Sequence, residues 1–162
     1  MIVEAGISQV HRDAGRVAAR AEIRDVRLLS TSASIIRFPA PNPQLSYTLD
    51  QRPSVEYSDG GDSFVVRASY SLKISELNDE GNSDDESAVV ATVQFEQAAL
   101  FLLAMLENDE TPEAEELEAF AGTTGQFALH PFAREYIYDI TGRLALPPLT
   151  IGVLRLSMPS DD

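Results

Sequence analysis

AGTTGQFALHPFAREYIYDITGRLALPPLTIG, residues 121–152, carries the clearest helical periodicity in the chain and decides how the rest is read. From Leu129 the apolar residues fall at Leu129, Phe132, Ala133, Tyr136, Ile137 and Ile140. That spacing lays one wide apolar face along a helix. Thr123 or Thr124 can accept from the free amides of a first turn, and Gly142 suits the left-handed residue after the last one. Pro131 either takes the first helical position or kinks a helix that starts near Thr124. Asp139 and Arg143, four apart, form an exposed ion pair. Beyond Gly142, Leu144-Ala145-Leu146-Pro147-Pro148-Leu149 holds two prolines, which forbid helix and predict an extended apolar strap.

A long amphipathic helix needs an apolar surface to cover, and the chain before it supplies strands. Phe64, Val66, Ala68, Tyr70, Leu72 and Ile74 alternate with polar or smaller residues, the cleanest strand pattern present. Val89, Ala91, Val93 and Phe95 form the inner face of another strand, which continues to about Phe101 before a turn or short helix. Leu45, Tyr47 and Leu49 alternate in a third, with Pro53 interrupting before Val55 and Tyr57. In the first strand, from Ile23, both parities are partly apolar: Val26, Leu28, Ile36 and Phe38 on one, Ile23, Leu29, Ala33 and Ile35 on the other. This predicts a strand covered on both faces. The three prolines of Phe38-Pro39-Ala40-Pro41-Asn42-Pro43 end it. Ser8–Glu22 reads as a short amphipathic helix with Ser8 as cap. Thr111-Pro112 reads as cap and first residue of another, which Gly122 ends.

Composition narrows the function. With 162 residues and 44% hydrophobic content, the chain suits one globular domain, 1–162. Within it we expect a helix at 8–22, a sheet at 23–101, helices at 111–142, and a proline strap with short tail at 143–156. No apolar run is long enough to span a membrane, and the N-terminus lacks the features of a secretory signal. The absence of cysteine excludes thiolate zinc sites and cysteine catalysis and fits a cytoplasmic location. A net charge of −14 repels nucleic acid. The acidic run Glu76–Ser87 contains Asn78, Asp79, Glu80, Asp84, Asp85 and Glu86, but its spacing matches no calcium loop and reads as a solvated hairpin. His11 and His130 sit on separate elements, and no phosphate loop, nucleophile elbow or metalloprotease motif occurs. No catalytic, metal or cofactor site is therefore expected.

The helix and strap resemble the SecB family of export chaperones. The resemblance rests on Leu129-His130-Pro131-Phe132-Ala133-Arg134-Glu135-Tyr136-Ile137, followed by Arg143 and Leu146-Pro147-Pro148-Leu149. Arg16–Asp25 and Tyr138–Leu146 look closer to the SecB-like chaperones of actinobacterial toxin–antitoxin–chaperone systems. The resemblance implies an α+β fold with a four-stranded antiparallel sheet packed against a long C-terminal helix, assembled as a homotetramer, a dimer of dimers. It also implies an ATP-independent holdase that binds unfolded or aggregation-prone clients, its dedicated client an antitoxin's disordered apolar segment.

In that reading Phe38, Tyr47, Tyr57, Phe64, Val66, Tyr70, Phe95 and Phe101 line a client groove, and Ile23, Val26, Phe132, Tyr136 and Ile140 form the oligomer interface. Export members dock the translocation ATPase through acidic residues; the matching positions here are Ile35, Pro39 and near Gln94, none acidic, which argues against that docking. The family's usual further helix after the strap is cut short by Pro159. The alternatives are a general export chaperone delivering preproteins to the translocase and an acidic regulator that sequesters a basic toxin.

Overall fold

A computed structural model describes residues 9–81, 86–104 and 110–154. Its elements are α1 (Gln9–Ala18), β1 (Ala21–Ile35), β2 (Leu45–Tyr57), β3 (Ser63–Glu76), β4 (Val89–Leu103), α2 (Ala114–Phe120) and α3 (Gln126–Arg143). Among the described residues the strands form one four-stranded antiparallel sheet in the order β1-β4-β3-β2. The strand expected to stop near Phe101 runs to Leu103, because the ladder with β3 continues through Leu102 opposite Ser63. No described helix is long and apolar enough to cross a membrane.

Alternation along β3 and β4 works as read. Phe64, Val66, Ala68, Tyr70, Leu72 and Ile74 are buried on one face with Ala91, Val93, Phe95, Ala99, Phe101 and Leu103. Val89, expected on that face, departs from it: a register shift sets it opposite Ser75, and Val90 joins the core instead. The other face carries Arg67, Ser69, Ser71 and Lys73 opposite Ala98, Glu96, Gln94 and Thr92. β1 departs from expectation. Register shifts at Arg24 and Leu29 each insert one residue and flip the parity. Ile23, Val26, Leu28, Ala33 and Ile35 thereby all pair with core-facing β4 residues. The mixed parity records two bulges, not a strand covered on both faces. Pro53 does not interrupt β2, which pairs with β3 from Leu45 to Tyr57. β2 is an edge strand, where a proline whose missing N–H would have faced solvent leaves no ladder bond unmade.

The helical layer also differs from the reading. α2 starts at Ala114, not at Pro112; Glu113 is its cap residue, and the Glu116 carboxylate accepts from the Glu113 amide at 3.0 Å. Gly122 does not end it. A π-helical turn, Ala121–Gly125, carries the chain directly into α3. Thr123 is therefore no cap: its hydroxyl donates to the Ala119 carbonyl at 2.7 Å. Pro131 lies inside α3. With no N–H to donate, it leaves the Phe127 carbonyl without its helical partner. The left-handed residue after α3 is Ala145 (φ 59), not Gly142. The amides of Ala145 and Leu146 bond back to the carbonyls of Gly142 and Thr141, closing the helix end.

Leu129, Ala133, Ile137 and Thr141 form the stripe of α3 that faces the core. Leu117 and Phe120 extend the helical side of the core, and Val17 does so from α1. At Gly125 the helical backbone comes close to the sheet. A Cβ there would stand 3.0 Å and 3.1 Å from the two methyls of Val66, which is fully buried and stiff about χ1. The bare backbone at 125 is thus the contact point, and its φ of −63 is ordinary, so space and not conformation requires glycine. Residues 1–8, 82–85, 105–109 and 155–162 lie outside the described residues, and with them the Ser8 cap, the acidic run's Asp84 and Asp85, and the tail with Pro159.

Gly125→Ala would gain about 1 kcal/mol on helix propensity alone. Overpacking against Val66 reverses the sign, and a net loss of about 1–3 kcal/mol is expected. Chemical denaturation measures it; a higher midpoint would show that Val66 yields. Ala145→Gly acts the other way. It relieves a left-handed alanine and should raise stability by about 0.5–1 kcal/mol, the steric gain less the entropy of glycine in the unfolded chain.

Candidate client-binding surface

A client of a passive chaperone needs exposed apolar surface that a folded protein would normally bury. The sheet's core face is mostly apolar on each of its strands, Gln97, Gln51 and Thr31 excepted, while the helical layer lies over its middle. β1 therefore leaves Ile23, Leu28 and Ile35 exposed, and β2 leaves Tyr47 and Tyr57 exposed. The loop between β1 and β2 adds Ile36 and Phe38, and Phe38 is 92% exposed.

Beside β2 the apolar surface forms a groove. Its floor is Leu45, Tyr47 and Ile74; Pro43 of the β1–β2 loop makes one rim, and Leu146-Pro147-Pro148-Leu149 the other. The cavity is about 270 Å³. The strap forming the second rim is fixed by a buried hydroxyl. Thr141 donates to the Ile137 carbonyl at 2.7 Å and accepts from the Leu149 amide at 2.9 Å. Leu146 and Ile151 are buried on either side of the prolines and pin the strap to the core. A second apolar groove, about 640 Å³, runs between the outer side of α3 (Phe127, Pro131, Tyr138) and Val153. There the His130 imidazole Nε2 lies 2.8 Å from the Gly152 carbonyl, holding the chain after the strap against the helix.

The sequence-derived groove residues divide into two groups. Phe38, Tyr47 and Tyr57 are exposed. Phe64, Val66, Tyr70, Phe95 and Phe101 are buried, and for these five the groove assignment is corrected to core packing. Phe64 stacks on Phe101 at 5.3 Å, and both meet the edge of Phe120. Tyr70 stacks on Phe95 at 4.5 Å, and Phe95 meets Tyr136 at 4.6 Å. Burial pushes the Tyr70 phenol's pKa up; among the described residues Gln51 Nε2 makes a long 3.5 Å contact with its oxygen. The physical reason is coverage: the chain's own continuous helix lies over β3 and β4, and alternation along a strand does not say what covers it. Residues that sequence reasoning passed over are Leu45, Ile74, Phe127, Tyr138 and Val153. The signal for the β2 groove was the pair of proline-rich runs at 39–43 and 147–148, which supply Pro43 to one rim and Pro147 and Pro148 to the other.

Of the residues expected at an oligomer interface, Ile23 and Phe132 are exposed, while Val26, Tyr136 and Ile140 are half-buried against the core. Tyr136 shares a short hydroxyl–hydroxyl contact with Thr31 of β1, which ties the helix to the edge strand.

The opposite face of the sheet is polar over most of its length, with Val65, Leu100 and Leu102 at one end. Arg67 there bridges Glu56 and Glu96, and Arg27 pairs with Asp25. A shallow depression on it is lined by Ser30, Ser32, Asp50, Arg52, Ser69 and Ser71. Its hydroxyls and paired charges are solvated and offer little drive to bind an apolar chain. Among the described residues, no group of three or more His, Asp or Glu side chains is placed to hold a metal ion.

No family model matches the chain. Two curated proteins do: the SecB-like chaperones MT2006 and Rv1957 of two Mycobacterium tuberculosis strains. Each is 49% identical over 156 residues, covering 93% of this chain and 86% of the relative. A solved structure matches with a TM-score of 0.79 and 45% identity, over 91% of this chain and 100% of the other. It is M. tuberculosis Rv1957 in complex with a ChAD peptide from the HigA1 antitoxin. An α+β fold with the expected sheet and long C-terminal helix, and near-half identity over almost the full length, lead to one conclusion: the chain belongs to the SecB-like chaperone family.

Proposed function

We propose that this chain is an ATP-independent holdase whose dedicated client is an antitoxin, captured through a disordered apolar segment in the groove beside β2. The observation that carries the reading is that groove itself: an apolar floor with Tyr47 exposed, rimmed by Pro43 and the strap, with Phe38 projecting from the same loop. Support for an antitoxin as client comes from the relative that holds an antitoxin peptide. A disordered segment that binds here incurs an ordering cost, so several anchors must be buried together. The edge of β2 adds backbone donors and acceptors that bind any extended chain, whatever its sequence. The mechanism is passive: client held in the groove lowers the free unfolded population, and release follows mass action.

The test is a titration with a peptide from the antitoxin's disordered end. Phe38→Ser combined with Tyr47→Ser should weaken capture about tenfold or more with the melting temperature nearly unchanged. Phe95→Ser should instead lower the melting temperature, as expected for a core residue. Because apolar burial carries the affinity, raising salt from low to moderate should change it little. Binding abolished by moderate salt, or seen only with a folded basic protein, would favour the electrostatic sequestration of a toxin.

The assembly belongs to the same reading. The core face of β1 is left open at Ile23, Leu28 and Ile35, and Phe132 is exposed on α3. A second copy covering that margin would remove the apolar surface from water and leave the β2 margin free for client. Light scattering is expected to give about four times 17.7 kDa, a dimer of dimers. A monomer mass at micromolar concentration would sink it. Ile35, Pro39 and Gln94 supply no carboxylate for docking an export ATPase, so delivery to a translocase is not part of the proposal.

A further inference from the structure

Phe38 is the most exposed large apolar residue of the described chain, yet the backbone carrying it is held on both sides. Just before it, the Ile36 amide closes the β1–β4 ladder on the Val90 carbonyl at 2.8 Å. Just after it, the Ala40 amide donates to the Glu76 carboxylate at 3.1 Å. At the loop's far end the Leu77 amide donates to the Gln44 carbonyl at 2.8 Å. Pro39, Pro41 and Pro43 fix φ at three of the positions in between, and Asn42 takes a left-handed φ of 50.

The centre of this arrangement is one ion pair. Arg37 Nη1 lies 2.8 Å from Glu76 Oε2, at the last residue of β3. The same guanidinium donates through Nε to the Ser87 carbonyl at 3.1 Å and through Nη2 to the Ala88 carbonyl at 3.4 Å, where β4 begins. One arginine thus ties the exit of β1 to the end of β3 and the start of β4. One carboxylate grips the loop at residues 37 and 40, bracketing Phe38. A solvated connection gains nothing from such bracing, and a naked phenylalanine on it invites association. A binding anchor gains directly, because a side chain presented in one place loses less freedom when it docks.

We infer that Arg37 and Glu76 are positioning residues for client capture, forming a clamp that presents Phe38 as a preorganised anchor. The inference rests on the proposed holdase reading. Neither residue touches client; each acts through the loop, so that opening the clamp lowers the fraction of chains with Phe38 in its docking position and weakens the apparent affinity by that fraction.

The chain contains no tryptophan, so Phe38→Trp supplies a lone fluorescent reporter at the anchor itself. In the free, full-length protein, the anisotropy of this indole should fall when Glu76→Ala or Arg37→Met is added, with the melting temperature shifted by only a few degrees. Against an unfolded client peptide, Glu76→Ala should weaken binding roughly 5–20-fold, and Glu76→Asp should restore part of the loss. In a Phe38→Ala background, Glu76→Ala should cost nothing further, since the clamp then has no anchor to position. An equal loss in both backgrounds, or an indole reporter as immobile without the clamp as with it, would overturn the inference and leave the pair a structural staple. Failure of the holdase reading looks different: wild-type protein captures no unfolded peptide at all. Intact capture that Phe38→Ala leaves unchanged would remove Phe38 as an anchor and overturn the clamp's part in binding, while leaving the groove.

Discussion

The close approach of a helical backbone to the sheet at Gly125 and Val66 sets what this molecule covers and what it leaves open. With no Cβ at 125, the helix settles directly onto β3. The aromatic cluster of Phe64, Phe101 and Phe120 closes one side of the contact, and the row Tyr70, Phe95, Tyr136 closes the other. Such pairs add roughly 0.5–1.5 kcal/mol each beyond their buried area. A helix is about 10 Å across, and the described strands at about 4.8 Å spacing make a face nearly twice that wide. A helical layer seated over the sheet's middle reaches only part of the outer strands, touching β2 beside the π turn and β1 at Thr31. The exposed apolar margins on β1 and β2 are thus a geometric outcome of where the helix is allowed to sit.

The two margins are not alike. The β1 margin is interrupted by bulges at Arg24 and Leu29; Val26 and Ala33 pack against the core and Thr31 meets Tyr136, while Ile23, Leu28 and Ile35 stay exposed. The β2 margin is flanked by the strap, which Thr141 and the buried Leu146 and Ile151 hold in place. One margin is a bare surface that suits a second copy; the other is a walled channel that suits an extended strand. In the proposed reading that difference separates self-association from client capture. Pro43 on one rim and Pro147 and Pro148 on the other have no N–H to donate and fixed φ, which keeps the channel's rims stiff.

Much of this was legible in the sequence. The alternation in β3 and β4 and the 3.6-residue spacing from Leu129 to Ile140 pointed to the right elements, and the SecB-like motif through Pro148 pointed to the right family. What stayed hidden has physical causes. Arg24 and Leu29 are ordinary residues, so their bulges left only mixed parity as a trace. Pro53 reads as a break unless one knows that β2 is an edge. Ala145 takes a left-handed backbone that sequence would assign to Gly142, because the closing bonds to Thr141 and Gly142 decide it. Phe64, Tyr70 and Phe95 look identical to groove residues along their strand, since what distinguishes core from groove is the placement of a helix more than twenty residues away in sequence.

The π turn at Ala121–Gly125 joins α2 to α3 without a break. Such a turn holds one residue more than an α-helical path of the same length. Each residue of an α-helix advances the side chains by about 100°. The extra residue therefore sets the angular phase between Leu117 and Phe120 on one side and Leu129, Ala133 and Ile137 on the other, so that both stripes point at the same sheet. Loss of a single residue from this turn would leave the helix intact, even straighter, and every propensity satisfied. It would also rotate α3 by roughly a quarter turn and carry its apolar stripe off the sheet. In this chain, the indexing of one helical segment against the other is held by length alone.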